Sequence, residues 1–203
     1  MMHWKLVGVD KETNHRFLNF YTVHYQVTSE EGKEKEYSYF VASRNEKKEG
    51  LRVFRGAFDK PDAVLIGCYK IVDGMLYLLL EKQFRPALNR DVYSFPAGLV
   101  DPGEEDVRKT AERELKEETG YSLISCELLL QPSPTSEGLS DECNAVVLAE
   151  LGTRGKDDKE EFEDISSGLY SATNVKRMLS DSSVLFSNSA RLLILYLLEH
   201  FAK

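Results

Sequence analysis

Apolar and polar residues alternate from Phe17 to Val27 and predict a strand, which ends at the polar run Ser29-Glu30-Glu31-Gly32-Lys33. Tyr37 to Ala42 returns with similar alternation, so the two segments read as a hairpin. Residues 45–61 are charged and contain Gly50 and Pro61, which places a loop or boundary there. Ala63 to Val72 and Met75 to Glu81 flank Asp73-Gly74, a dipeptide suited to a tight hairpin turn. A short strand is predicted at Val92 to Phe95, and two more near Ser125 to Leu130 and Asn144 to Leu151. Gly152 to Glu163 is polar and strongly charged, as an exposed loop would be. Thr173 to Leu179 fits a short helix. Ser189 to Phe201 fits a C-terminal helix with Leu192, Leu195, Tyr196 and Leu198 on its buried side. Strands with helices at intervals predict an α/β fold.

The stretch from Gly98 to Tyr121 carries the chemistry. Asp101-Pro102-Gly103 predicts a turn, and Val107, Ala111 and Leu115 recur at helical spacing. Gly120 follows as a C-cap. On such a helix Glu114 and Glu118 share a face, and Glu117 lies one turn from Glu114. Like charges at that spacing weaken a helix, and they stand at the end where the helix dipole favours cations. A solvated acidic face is one reading. A cation held between the carboxylates is the other, and it accounts for both costs. Oxygen-only donors suit a hard ion such as Mg²⁺ or Mn²⁺.

Composition narrows the classes. With 203 residues and an apolar fraction of 42%, the chain can bury a core as one domain, or one domain plus a small extension. A net charge of −8 argues against broad binding to nucleic acid or to an acidic membrane. A diphosphate remains a possible ligand where metal ions carry the charge. Cys68, Cys126 and Cys143 form no zinc pattern and no disulfide framework, which points to a reducing cytoplasm. The N-terminus has no signal-peptide core, and the longest apolar run, Leu192 to Leu198, is too short to span a bilayer.

Arg113-Glu114-Leu115, Glu117-Glu118 and Gly120-Tyr121 resemble the signature of the Nudix hydrolases. The front of that signature departs by one residue. Five residues separate Gly98 from Glu104, but eight then precede Arg113, where the family has seven. Counting from Glu105 restores the seven and places the extra residue in the loop. Upstream, EKQFRPALNRDVYSFPAGLVD (residues 81–101) is similar to the ADP-ribose pyrophosphatase branch. So are Ser133 to Glu142 and the acidic stretch Glu160 to Ile165.

The resemblance implies a Nudix-type α/β/α sandwich with a mixed sheet over residues 59–203. A small N-terminal antiparallel β domain would precede it, spanning residues 1–58 and pairing in a homodimer. It implies hydrolysis of a nucleoside diphosphate linked to a sugar, ADP-ribose to AMP and ribose 5-phosphate first, with other nucleotide sugars and dinucleotides as alternatives. It further implies that Glu114, Glu118 and the backbone carbonyl of Ala97 hold the metal, with Glu117 acting directly or through water. Arg113 would tie the helix to the loop glutamate, Glu105 or Glu104. Glu161 would be the general base, with Glu163 as runner-up.

Arg85 is a candidate for phosphate or ribose, since a guanidinium offers paired donors; a surface ion pair is the competing role. Glu142 would orient ligand or metal water. Ser94 stands where relatives often carry glutamate, which removes one possible metal or ribose contact. Trp4, Tyr37 or Tyr39 offers a ring for adenine, although aromatics at strand spacing are more often core. Two functions follow: a metal-dependent hydrolase, or a nucleotide-sugar sensor that kept the fold and lost turnover. The three intact helix carboxylates favour the hydrolase.

Overall fold

The computed structural model describes residues 1–156 and 164–201. It divides into two compact units, one comprising Met1–Pro61 with Pro132–Asn144, the other Asp62–Gln131 with Ala145–Lys203.

The first unit is built on an antiparallel sheet in the order β1-β2-β3, with β1 at His3–Lys11, β2 at Asn19–Thr28 and β3 at Glu34–Ser43. β2 and β3 are the predicted hairpin. β1 was not predicted, because its nine residues are mostly exposed and alternate weakly. Val9, Tyr21, Val23 and Leu51 form a small core. The expected loop at 45–61 contains a 3₁₀ turn, Lys48–Gly50, and a one-turn helix α1, Arg52–Arg55.

Arg52 is buried and donates to three carbonyls: Nε to Asp141 at 2.8 Å, Nη1 to Ala57 at 3.0 Å and Nη2 to Lys60 at 2.9 Å. Its own N–H donates to the Asp141 carboxylate. The Tyr39 hydroxyl donates to the Gly138 carbonyl, and the Ala42 N–H to that of Leu139. These bonds make residues 132–144 part of the first unit, although they lie far along the chain.

The second unit holds a sheet of seven strands: β4 (Ala63–Val72), β5 (Met75–Arg85), β6 (Arg90–Ser94), β7 (Ala97–Leu99), β8 (Tyr121–Pro134), β9 (Cys143–Arg154) and β10 (Ile165–Ser171). Its order is β10-β5-β4-β9-β8, with β6 on β5 and β7 on β4. The end of β8 and the first two residues of β9 belong to the first unit. Three helices follow or flank the strands: α2 (Val107–Thr119), α3 (Ala172–Ser180) and α4 (Asn188–Phe201). Asp73 and Gly74 both have positive φ, 50° and 76°, as a two-residue hairpin turn between β4 and β5 requires.

The sheet is covered on both faces. Tyr69 of β4 rests on Phe201 of α4, with ring centroids 4.5 Å apart. A Cβ on the adjacent-row residue Gly67 would meet Leu193 of α4 at 3.0 Å. Strand side chains alternate, so Val64, Ile66 and Cys68 face the other way, where Leu115 of α2 joins the same buried cluster. This is the α/β/α sandwich expected.

The inward side of α4 differs from the expected one. Ala190, Leu193, Ile194, Leu197 and Leu198 are buried, whereas Leu192, Leu195 and Tyr196 are exposed at 61%, 51% and 39%. The run is apolar on nearly every side, so spacing alone does not choose a face, and packing on β4 does. β10 was not predicted either. Its sequence ISSGLYS has little strand character, and its partner β5 supplies the register. β9 runs on through Gly152 to Arg154, into the stretch read as loop.

Cys68, Cys126 and Cys143 are free thiols within strands. Burial, ahead of any nearby charge, lifts Cys126 from 9.0 to about 11. A shift of that size cuts its thiolate fraction near pH 8 by about a hundredfold. The native protein is therefore expected to resist a thiol reagent at pH 8 and to titrate three thiols once unfolded. Rapid labelling of Cys126 in the native state would contradict this burial. No helix among the described residues is long and apolar enough to cross a membrane.

Candidate active site

α2 is delimited by its own side chains. Asp106 is the N-cap and accepts from the Arg108 N–H at 3.1 Å. The side-chain bond from Arg108, reinforced by that N–H, holds the Asp106 carboxyl below its usual range. Gly120 ends the helix in the left-handed region at φ 74°, and its N–H donates to Lys116. Glu104 serves the loop before the helix, where its Oε1 accepts the N–H groups of Glu105 and Asp106. Glu105 is exposed.

Ala111, Leu115 and Glu118 lie on the buried stripe of α2. Glu118 is thus 7% exposed, a carboxylate carried inward by the stripe that anchors the helix. Glu114 is mostly covered and lies against the backbone of Gly98 in β7. A Cβ at position 98 would overlap the Glu114 carboxyl group. Gly98 itself is opposite Val64 in the β4–β7 ladder, between Ala97 and Leu99. Burial raises the Glu114 pKa, and the neighbouring Arg113 offsets part of the rise.

Arg113 gathers this cluster. Its Nη1 is 2.9 Å from Glu114 and 3.2 Å from Glu117. Its Nη2 is 3.3 Å from Asp101 and donates to the Leu99 carbonyl at 3.3 Å. The arginine does join helix to loop, but through Asp101 and Leu99 where Glu105 or Glu104 was expected. The physical reason is reach: Glu104 is engaged with the N–H groups that precede α2, while Asp101 lies in the turn beside β7. Sequence reading missed Asp101, although its place in the Asp-Pro-Gly turn was visible.

Among the described residues, no three His, Cys, Asp or Glu side chains converge closely enough to hold a metal ion. Glu114 and Glu117 are drawn to the guanidinium instead. The donors nevertheless suit a hard cation: they are all oxygen, two of the carboxylates are withdrawn from solvent, and Gly98 leaves open the space that Glu114 enters.

The remaining predicted residues are spread out. Arg85 ends β5, exposed, opposite Arg90. Ser94 ends β6, opposite Glu81, and its Oγ is 3.2 Å from that of Ser187. Glu142 belongs to the first unit, where it pairs with Arg44 at 2.8 Å and accepts from Thr135. Trp4 meets Tyr25 and Tyr37 edge-on, Tyr37 stacks on Tyr39, and the four rings line an open hollow of the first unit, with Tyr25 also packed against its core. Glu161 and Glu163 lie outside the described residues.

Known proteins resemble this chain at several levels. An uncharacterised Nudix hydrolase of Schizosaccharomyces pombe is 30% identical over 128 residues, covering 62% of this chain and 60% of that protein. The ADP-ribose pyrophosphatase of Bacillus subtilis is 38% identical over 92 residues, covering 43% of this chain and 49% of that protein. The chain thus spans less than two thirds of the length of either relative. The crystal structure of an ADP compounds hydrolase superposes with a TM-score of 0.65 at 20% identity, covering 97% of this chain and 95% of the other. That likeness is one of fold. The NUDIX domain model matches residues 61–183, more than half of the chain, and the chain belongs to the Nudix family.

Proposed function

We propose that the chain hydrolyses the pyrophosphate bond of a nucleoside diphosphate linked to a sugar, with ADP-ribose giving AMP and ribose 5-phosphate. The observation that carries this is the placement of α2. Its Glu114 rests in the space left by Gly98, and its Glu118 is drawn inward one turn later. The ADP-ribose pyrophosphatase of Bacillus subtilis supports the substrate class.

The donor set makes Mg²⁺ or Mn²⁺ the natural cofactor, held by Glu114, Glu118 and the Ala97 carbonyl, with Glu117 direct or through water. When bound, such an ion screens the diphosphate charge and makes water a stronger nucleophile. Arg113 holds the helix on the Leu99–Asp101 loop and so fixes where Glu114 stands. Glu161, or failing it Glu163, takes the proton from the attacking water. Arg85 contacts phosphate or ribose, Ser94 replaces a carboxylate contact with a neutral one, and Glu142 orients ligand. The ring faces of Trp4 and Tyr37 suit adenine.

The same reading divides the chain into a dimerisation region, residues 1–58, and a Nudix domain, residues 59–203. Exposed Phe17, Leu18, Phe20 and Phe40 support a homodimer through the former. The three free thiols support a cytoplasmic location.

A panel of ADP-ribose, other nucleotide sugars and dinucleotides, assayed with Mg²⁺ and with chelator, tests the proposal. Products are identified by mass. Metal-dependent release of AMP and ribose 5-phosphate is expected. Cleavage of another member alone would replace the substrate. Binding without cleavage would make the protein a sensor.

A further inference from the structure

The sheet of the first unit carries a serine, a histidine and an aspartate in contact, one on each strand. His24 of β2 stands directly across from Ser38 of β3, and its Nδ1 is 3.0 Å from the Ser38 Oγ. Its Nε2 is 3.0 Å from the Asp10 carboxylate of β1. Asp10 is opposite Thr22, so it meets His24 as a diagonal neighbour. Asp10 follows Val9 and His24 follows Val23, so alternation turns both away from the small core and into solvent.

Register explains the contact. Phe20 and Ala42 face each other without exchanging ladder bonds. The Phe20 N–H donates to Thr13, its carbonyl accepts from Glu12, and the Ala42 N–H donates to Leu139. Ladder bonds alternate, so His24 and Ser38, four residues along, form another such pair. Cα atoms in these pairs are only about 4.5 Å apart, which brings the side chains together. The same alternation turns the N–H groups of Ser38 and Phe40 away from β2, toward the outer side of β3, the end strand of its sheet.

A carboxylate at Nε2 fixes the hydrogen there and leaves the Nδ1 lone pair facing the hydroxyl. Nδ1 is then placed as a base, Ser38 Oγ as a nucleophile and Asp10 as the group that orients the ring. The ring is turned end for end from the usual order of such triads, but the roles are kept.

We propose that Ser38, His24 and Asp10 form an acyl-transfer site that acts on activated acyl esters, independently of the α2 carboxylates. Ser38 Oγ attacks the ester carbonyl carbon while its proton passes to His24 Nδ1. The bond from that carbon to the alcohol oxygen breaks, and the alcohol leaves with the proton from His24. Water attacks the acyl-serine in the same way, releasing the carboxylic acid and returning a proton to Ser38. The edge N–H groups of Ser38 and Phe40 are donors for the carbonyl oxygen as it gathers charge.

The full chain incubated with p-nitrophenyl acetate tests this, with p-nitrophenolate release corrected for buffer and acetylation mapped by peptide mass. Acetyl-Ser38 is expected. Ser38→Ala and His24→Ala should each slow release about a hundredfold, and added imidazole should restore His24→Ala but not Ser38→Ala. Asp10→Asn should slow release with no change in Tm. Release that Ser38→Ala leaves unchanged, acetyl found only on other residues, or no release above buffer would overturn the proposal and leave a polar ladder that stiffens the sheet. So would rates that fall only in step with Tm. The reading of Glu114 and Glu118 stands or falls separately, by the nucleotide panel.

Discussion

Glu118→Gln is expected to lower turnover by roughly 10³-fold with the fold intact. The substitution keeps size and shape and removes one charge. Glu118 sits on the buried stripe with Ala111 and Leu115, so its carboxylate is fixed by the packing of the whole helix rather than by its own torsions. A ligand held that way is preorganised, and its loss should show in turnover more than in substrate affinity. Stability should change little, because glutamine keeps the size of the side chain and an oxygen that accepts hydrogen bonds. Steady-state kinetics at saturating Mg²⁺, with a thermal melt of the same sample, separate the two effects. Near-normal turnover would remove Glu118 from the metal set. A large drop in Tm would show that its role is structural.

Gly98→Ala is expected to cut turnover by about a hundredfold at a stability cost of about 1–3 kcal/mol. The backbone at Gly98 has no positive φ and would accept alanine. The conflict is with Glu114, whose carboxyl group occupies the space a methyl would fill. Either the carboxylate withdraws or β7 shifts, and both displace a proposed ligand. Glu114→Asp placed on top of Gly98→Ala shortens the offending side chain. The double variant should regain the lost stability without regaining activity. Wild-type turnover in Gly98→Ala would mean that Glu114 need not stand where it does.

Much of this site was legible because local rules and tertiary needs coincide. Gly120 caps α2 in a conformation that glycine adopts readily, and Asp73-Gly74 makes the turn its sequence demands. The order Arg113, Glu114, Glu117, Glu118 could be placed on a helix by spacing alone. What spacing does not give is depth. Glu114, Glu117 and Glu118 look alike in sequence, yet the first is mostly covered, the second exposed and the third buried. α4 failed for the opposite reason, since leucine, isoleucine and tyrosine occur around most of its circumference. Glu81 read as the end of a strand because a charge after three leucines looks like an edge. Pairing with β6 and β10 carries β5 four residues further and leaves Glu81 inside.

The capture of residues 132–144 by the first unit bears on how the chain is made. Tyr39, Ala42 and the N–H and Nε groups of Arg52 meet Gly138, Leu139 and Asp141 only after β4 to β8 have been synthesised. At about 5–20 residues per second, the first three strands wait several seconds on the ribosome before that segment emerges. During the wait the surface of the first three strands that residues 132–144 will meet is open to chaperones. A late-closing first unit also makes residue 61 a poor place to cut, because the piece removed would leave behind a segment folded for it.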